Sequence, residues 1–298
     1  MKYASFKYRL SGNFGDNIQT LAAEQYLPCV DFRISRDFMA VDKVTEPTVL
    51  IMNGWFSQSP ETAFPPHENI RPVFFGFHIS PGSISSMLTS AGIEYLKQHE
   101  PIGCRDRTTC ELLESKGINA FYSKCLTLTF PRRESDPKPG QVFIVDAQCI
   151  PVPRNLAKDA CFMSHLIPNG LPDRAKELLA RAALESYRSS ARLVITTKIH
   201  CAMPCIAMGI PVVFFGDPND RRLEILLDLG VTINRYKEPH GRIAQKIFRL
   251  IYRRIGKLWS GRVNWQPTVA DITSEQEKIR ARIKKMIRDV ETKEIEAK

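Results

Sequence analysis

The chain has 298 residues, 43% hydrophobic and 25% charged, a balance that excludes a disordered or fibrous protein and fits a globular one with ample core. That length leaves room for about two domains. A formal net charge of +10 points to anionic partners, whether nucleic acid, phosphorylated small molecules or an anionic membrane surface, and does not choose among them.

Residues 3–10 read as a strand that ends in the turn Ser11-Gly-Asn-Phe-Gly-Asp16. A helix is expected from about 17 to 27, with Ile18, Leu21, Ala22 and Tyr26 on one face and Asp16 as its N-cap. Strand, glycine turn and helix start together make a site for phosphate or carboxylate, because unpaired backbone N–H groups point outward there. The turn lacks the GxGxxG spacing of a dinucleotide site, and a plain capped turn is the competing reading. Further strands are expected at 48–53 and 71–79. They end in Asn53-Gly-Trp55 and His78-Ile-Ser80, which puts polar side chains at a carboxyl edge, the ligand side of a parallel sheet. A helix follows at 84–98. A short strand, Pro101 to Cys104, then leads into Arg105-Asp106-Arg107-Thr-Thr109 and a helix that stops at Ser115 before Gly117.

Residues 131–140, with Pro131, Pro137 and Pro139, form the best domain boundary. Beyond it Gln141 to Asp146 restarts the pattern as a strand, and a helix is expected at 172–187. The β-branched run Leu193-Val-Ile-Thr-Thr197 suits a buried parallel strand. Lys198 and His200 follow it, then a helical stretch that stops at Gly209, a strand from Ile210 to Phe215, and a helix at 219–229. In extended chain Lys198 and His200 would face one side, as a convergent cation and imidazole. From Gly241 to Trp265 there are seven cations and no acid, with Ile243, Ile247, Ile251 and Ile255 at helical spacing. Such a helix suits an anionic membrane surface, or a core-packed position with a solvated basic face.

The alternation of strand and helix predicts an α/β protein of two Rossmann-like domains facing a cleft, GT-B-like, with C-terminal helices. The expected domains are 1–135, carrying the glycine turn and Arg105, and 136–265, carrying Lys198 and His200. Residues 266–298 follow as a C-terminal amphipathic helix. The eight cysteines form no CxxC and sit beside apolar residues, as reduced intracellular thiols do. The first twelve residues lack the apolar run of a signal peptide, and the uncharged stretch Cys201 to Gly216 falls short of a membrane span. A cytoplasmic protein is expected, with the inner face of the membrane as a peripheral site if the basic helix docks there. His67, His78, His99, His165 and His240 show no ligand spacing with Cys or carboxylates, so no metal site is expected.

Gly12-Asn-Phe-Gly-Asp-Asn-Ile-Gln19, Arg105-Asp106 with Thr109, Thr196-Thr-Lys-Ile-His200 and Ala207-Met-Gly-Ile-Pro211 stand in an order and spacing that resembles the polysaccharide pyruvyl transferases. That family is similar in fold to GT-B glycosyltransferases. It moves the enolpyruvyl unit of phosphoenolpyruvate onto two sugar hydroxyls, giving a cyclic ketal and phosphate. The resemblance implies His200 as the catalytic residue and Arg105 as a ligand of the donor's anionic groups. Lys198 stands where the family has an arginine two residues before the histidine, so a point charge replaces a bidentate fork. Acceptor or cleft contacts are expected from the turn, Gly12, Asn13, Gly15, Asp16 and Gln19, with His78 and Ser80 added at the sheet edge. Phosphoenolpyruvate is the donor substrate and no cofactor is implied; a glycan or lipid-linked sugar is the acceptor. The competing readings are a GT-B glycosyltransferase using a nucleotide sugar, with Asp217-Pro-Asn-Asp220 as a ribose site, and a polyanion-binding protein. No nucleic-acid motif appears, and no specific nucleic acid is expected.

Overall fold

Short apolar runs in the first 130 residues become parallel strands: β1 (Lys2–Lys7), β2 (Phe32–Ser35), β3 (Thr48–Ile51), β4 (Gly54–Phe56), β5 (Ile70–Val73), β6 (Phe77–Ile79), β7 (Ile102–Cys104) and β8 (Ala120–Tyr122). The computed structural model describes residues 1–56, 59–168, 170–236 and 261–296. The strands pair as two four-stranded sheets, β2-β1-β3-β5 and β4-β6-β7-β8. β4 continues β3 past Met52 and Asn53, and β6 continues β5 past Gly76. Backbone bonds from Met52 N to Val73 O (2.8 Å) and from Gly54 N to Gly76 O (3.2 Å) carry the ladder over these breaks. Along the joined ladder the order is β2-β1-β3/β4-β5/β6-β7-β8, which reverses between β1 and β3.

The expected single strand 71–79 is therefore two. Gly76 has φ 74°, in the left-handed region, and a Cβ there would lie 2.2 Å from Asn53 Oδ1. Only glycine fits that turn-out, and it ends β5. The expected helix 84–98 likewise splits into Ile84–Met87 and Ser90–Gln98, because Thr89 caps the second piece by accepting from Gly92 N at 3.2 Å.

The longer helices are α1 (Gly15–Glu24), α2 (Ser90–Gln98), α3 (Arg107–Glu114), α4 (Asp173–Ser190), α5 (Ile199–Ala207) and α6 (Thr273–Glu296). α1 starts two residues earlier than the apolar spacing suggests. Its N-cap is Phe14, so Asp16 lies inside the first turn rather than capping it. α6 buries Gln276, Ile279, Ile283 and Ile287, one stripe at helical spacing, and packs on β3 and β5.

A second parallel sheet system follows the proline-rich stretch: β9 (Gln141–Val145), β10 (Cys161–Met163), β11 (Ala191–Thr196), β12 (Val212–Gly216) and β13 (Ile233–Arg235), in the order β10-β9-β11-β12-β13. The order again reverses after its first strand, between β9 and β11. Val142, Ile144, Leu193, Ile195, Val213 and Phe215 fill one side of this sheet. The strands read as near-continuous apolar runs because parallel strands are covered on both faces. The expected helix at 219–229 is a short 3-10 turn, Arg221–Leu223, followed by Glu224–Asp228.

The fold is thus mixed α/β with parallel sheets. Two compact units emerge, Met1–Phe130 with Ile167–Arg181 and Thr273–Lys298, and Pro131–Leu166 with Ala182–Ile272. Most of the basic helix expected at 241–265 lies outside the described residues. Among the described residues no helix is long and apolar enough to cross a membrane. All eight cysteines are free thiols.

Candidate functional site

A parallel sheet whose order reverses after its first strand leaves a crevice at the carboxyl ends of the two strands that flank the reversal. In the first unit that place is the end of β1 and of β3. The turn after β1 is held by its own side chains: Asn13 Oδ1 accepts from Gly15 N (2.8 Å) and Ser11 Oγ donates to Asp16 Oδ2 (2.7 Å). Gln19, one helical turn on, donates from Nε2 to Asp16 Oδ1 (3.2 Å) and accepts from Arg105 Nη1 at Oε1 (3.0 Å). Asn53, at the end of β3, donates to Gln19 O (2.9 Å). The structure therefore brings the glycine turn, Gln19, Asn53 and Arg105 to one edge, with Arg105 buried.

Two residues at this edge carried no sequence signal. Arg36, 1% exposed, stacks between Tyr8 (5.0 Å) and Trp55 (4.9 Å) and pairs with Asp37 at 3.1 Å and Asp16 at 3.5 Å. Lys176 is equally buried, and its ammonium donates to Tyr8 O (2.7 Å), Arg9 O (3.3 Å) and Ser11 O (3.0 Å). Three carbonyls that β1 leaves behind are satisfied there, which fixes the exit of the strand into the turn. The Lys176 bonds and the stacking of Arg36 on Tyr8 and Trp55 join residues far apart in the chain, so no local pattern announces them.

His78 and Ser80 sit at the next strand end. Ser80 Oγ lies 3.2 Å from Ser83 Oγ, and His78 Nδ1 lies 2.5 Å from Asp106 Oδ2. An ionised carboxylate only accepts, so Nδ1 carries the proton. Asp106 also caps α3, accepting from Thr109 N at 2.9 Å and from Thr109 Oγ1 at 3.1 Å. Burial works to raise the Asp106 carboxyl. The His78 bond and charge, the Thr109 N–H and the Arg105 cation outweigh it and hold the group below the usual carboxylate range. His78 is thereby tied to the residue that follows Arg105.

In the second unit the reversal falls between β9 and β11, and Lys198 and His200 come just after β11. Lys198 is extended (φ −103°, ψ 119°) and is the N-cap residue of α5, its N–H donating to Thr196 Oγ1 at 3.0 Å. The helix begins at Ile199, so His200 is its second residue and strand alternation does not relate the two side chains. They are related instead by the start of a helix, both half-buried, where the helix dipole favours an anion. The opposite side of α5 is sealed: Cys201 and Cys205 are fully buried, and His165 Nε2 meets Tyr187 OH at 2.8 Å beside them. Burial works to raise the Cys201 thiol, and contacts with Cys205 and His165 bring it down below the usual thiol range.

Both reversal points thus carry cationic or imidazole side chains beside a helix start. The family model for polysaccharide pyruvyl transferase matches residues 13–218, which include Asn13, Asp16, Gln19, Arg105, Lys198 and His200. The chain belongs to the polysaccharide pyruvyl transferase family. It is accordingly a transferase of polysaccharide biosynthesis, acting on a polysaccharide acceptor. Gly12 lies one residue before the matched span, and the C-terminal helix lies well beyond it. Among solved structures the chain is similar to a functionally uncharacterised protein of Klebsiella pneumoniae subsp. pneumoniae NTUH-K2044. The two share 12% identity at a TM-score of 0.44, over 78% of this chain and 93% of that one. No curated protein matches.

Proposed function

We propose that the enzyme transfers the enolpyruvyl group of phosphoenolpyruvate to two hydroxyls of one sugar, on a polysaccharide or a lipid-linked oligosaccharide, and releases phosphate. One hydroxyl adds to C2 of the donor while a proton goes to the methylene carbon, which becomes the methyl of the ketal. The second hydroxyl then takes the place of phosphate at C2 and gives up its own proton. His200 is the acid–base group for these transfers, since an imidazole with a pKa near 6.5 can give or take a proton at neutral pH. Arg105 binds the donor carboxylate or phosphate. Lys198, at the positive end of the α5 dipole, holds the other anionic end. Asn13, Asp16 and Gln19 border the acceptor, and His78 and Ser80 line the same strand ends. The reaction needs no cofactor, because the leaving phosphate is part of the donor.

The observation that carries this reading is the family match over residues 13–218, which takes in Asn13, Arg105, Lys198 and His200. The helix start under Lys198 and His200 supports it, since a donor with close to three negative charges suits that environment. The reading has Arg105 and the Lys198–His200 pair serve one donor. The competing nucleotide-sugar reading would place the ribose at the segment after β12. There Asp217 accepts from Asn219 N at 3.0 Å, and the Asp220 carboxylate is engaged by Arg222.

The test is phosphate release from phosphoenolpyruvate in the presence of a glycan acceptor, with nucleotide sugars as the competing donors. His200→Ala should lose roughly 10²- to 10⁴-fold in turnover at an unchanged melting temperature. An active His200→Ala enzyme, or turnover with nucleotide sugars alone, defeats the proposal. A lipid-linked acceptor would give residues 241–265 a role at an anionic cytoplasmic membrane face. Liposome co-sedimentation with and without anionic lipid checks it, and equal pelleting in both speaks against it.

A further inference from the structure

Three strand ends of the second unit converge on Asp146. It follows β9 at the reversal point and has φ 49°, in the left-handed region that non-glycine residues seldom occupy. Its carboxylate accepts from Ser164 Oγ (2.5 Å) and His165 N (2.9 Å), just past β10. Its carbonyl accepts from Thr197 Oγ1 (2.8 Å), just past β11. Glycine would take this backbone conformation without strain but has no carboxylate, so an aspartate there retains the strain together with two side-chain links.

The carbonyl bond to Thr197 and the carboxylate bond to His165 both lead to the site. Thr197 is the residue before Lys198, so the Asp146 carbonyl fixes the backbone from which Lys198 projects. His165, anchored through its N–H by Asp146, is fully buried, bonds Tyr187 OH at 2.8 Å and contacts the Cys201 thiol. Cys201 follows His200 on the first turn of α5. One route therefore runs Asp146–Thr197–Lys198 and the other Asp146–His165–Cys201–His200.

We propose that Asp146 is a positioning residue that sets Lys198 and His200 at the start of α5 without touching the donor. This rests on the reading of that pair as donor-binding and acid–base groups. The alternative is that Asp146 merely stitches the sheet edge, in which case losing it would lower stability and leave the pair where it is.

Asp146→Gly keeps the backbone conformation and removes both carboxylate links. Asp146→Asn tolerates the same φ and keeps an oxygen that can accept from Ser164 or His165. The primary readout is independent of turnover: the His200 imidazole resonance and its pH titration, assigned by its loss in His200→Ala. Asp146→Gly should move that resonance and lower kcat by roughly 10- to 100-fold with KM for phosphoenolpyruvate changing less, and Asp146→Asn should restore most of both. Should Asp146→Gly fail to fold, Thr197→Val removes the carbonyl link alone and should also move the resonance. A His200 resonance superimposable on wild type in the folded variants overturns the proposal, as does a kcat that simply follows melting temperature. Wild-type protein that releases no phosphate from phosphoenolpyruvate would count against the proposed reaction, and the resonance comparison would still decide the role of Asp146.

Discussion

Asp106 does two separable things, and two substitutions divide them. Its carboxylate caps α3 through Thr109 N and accepts the His78 Nδ1–H at 2.5 Å, with both side chains almost wholly buried. A lost N-cap costs about 0.5–2 kcal/mol, and asparagine caps as well as aspartate. A hydrogen bond to a charged group contributes about 1.5–3 kcal/mol. Asp106→Asn should therefore cost about 1.5–3 kcal/mol, and Asp106→Ala about 2–5 kcal/mol. Urea unfolding at neutral pH reads both. The pH dependence has a definite sign. Asp106 is held below the ordinary carboxylate range when folded, so the unfolded chain binds its proton more readily. The stabilisation is complete above the unfolded carboxylate pKa and is lost as pH falls through the depressed folded one. The gap between wild type and Asp106→Asn should narrow in acid. Equal stability of the two at neutral pH, or a gap that widens on acidification, refutes the account of this pair.

Lys176→Met keeps the apolar stem and strips the donor from three carbonyls. A loss of about 2–4 kcal/mol is expected, read as a fall of roughly 4–16 °C in melting temperature, and a fall under about 2 °C would show the carbonyls are satisfied without it. Arg36→Met leaves Asp37, which is 0% exposed, without its cation, and about 3–5 kcal/mol should be lost. Adding Asp37→Asn should recover part of that loss in a double-mutant cycle by urea unfolding; strict additivity would mean the pair is not coupled.

The strand–helix alternation was legible because parallel strands covered on both faces spell themselves out as apolar runs, as Leu193 to Thr197 and Val142 to Val145 do. Arg105, Asp106 and Thr109 were legible as a group through the family resemblance; the structure adds that Asp106 caps the helix by accepting from the N–H three positions on. Asp16 was legible as a residue of the glycine turn, but the sequence made it the N-cap of the helix. Its place inside the first turn, facing Ser11, Gln19 and Arg36, follows from Phe14 taking the cap position. β2, β8, β10 and β13 are three or four residues long, too short for periodicity to reveal. Lys176 and Arg36 were silent for another reason. The former meets carbonyls more than 160 residues away, and a buried cation looks like a surface one until its partners are known. Asp146 belongs with them, since a left-handed φ at an aspartate leaves no trace in composition or spacing.

In the proposed reaction Arg105, Lys198 and His200 serve one donor. A crystal structure of the full chain soaked with phosphoenolpyruvate tests it most directly. The account predicts a single bound donor, its carboxylate and phosphate shared between Arg105 and the start of α5, with the His200 ring against the reacting carbons. A donor held by one of these groups while the other lies beyond its reach would contradict the mechanism proposed here.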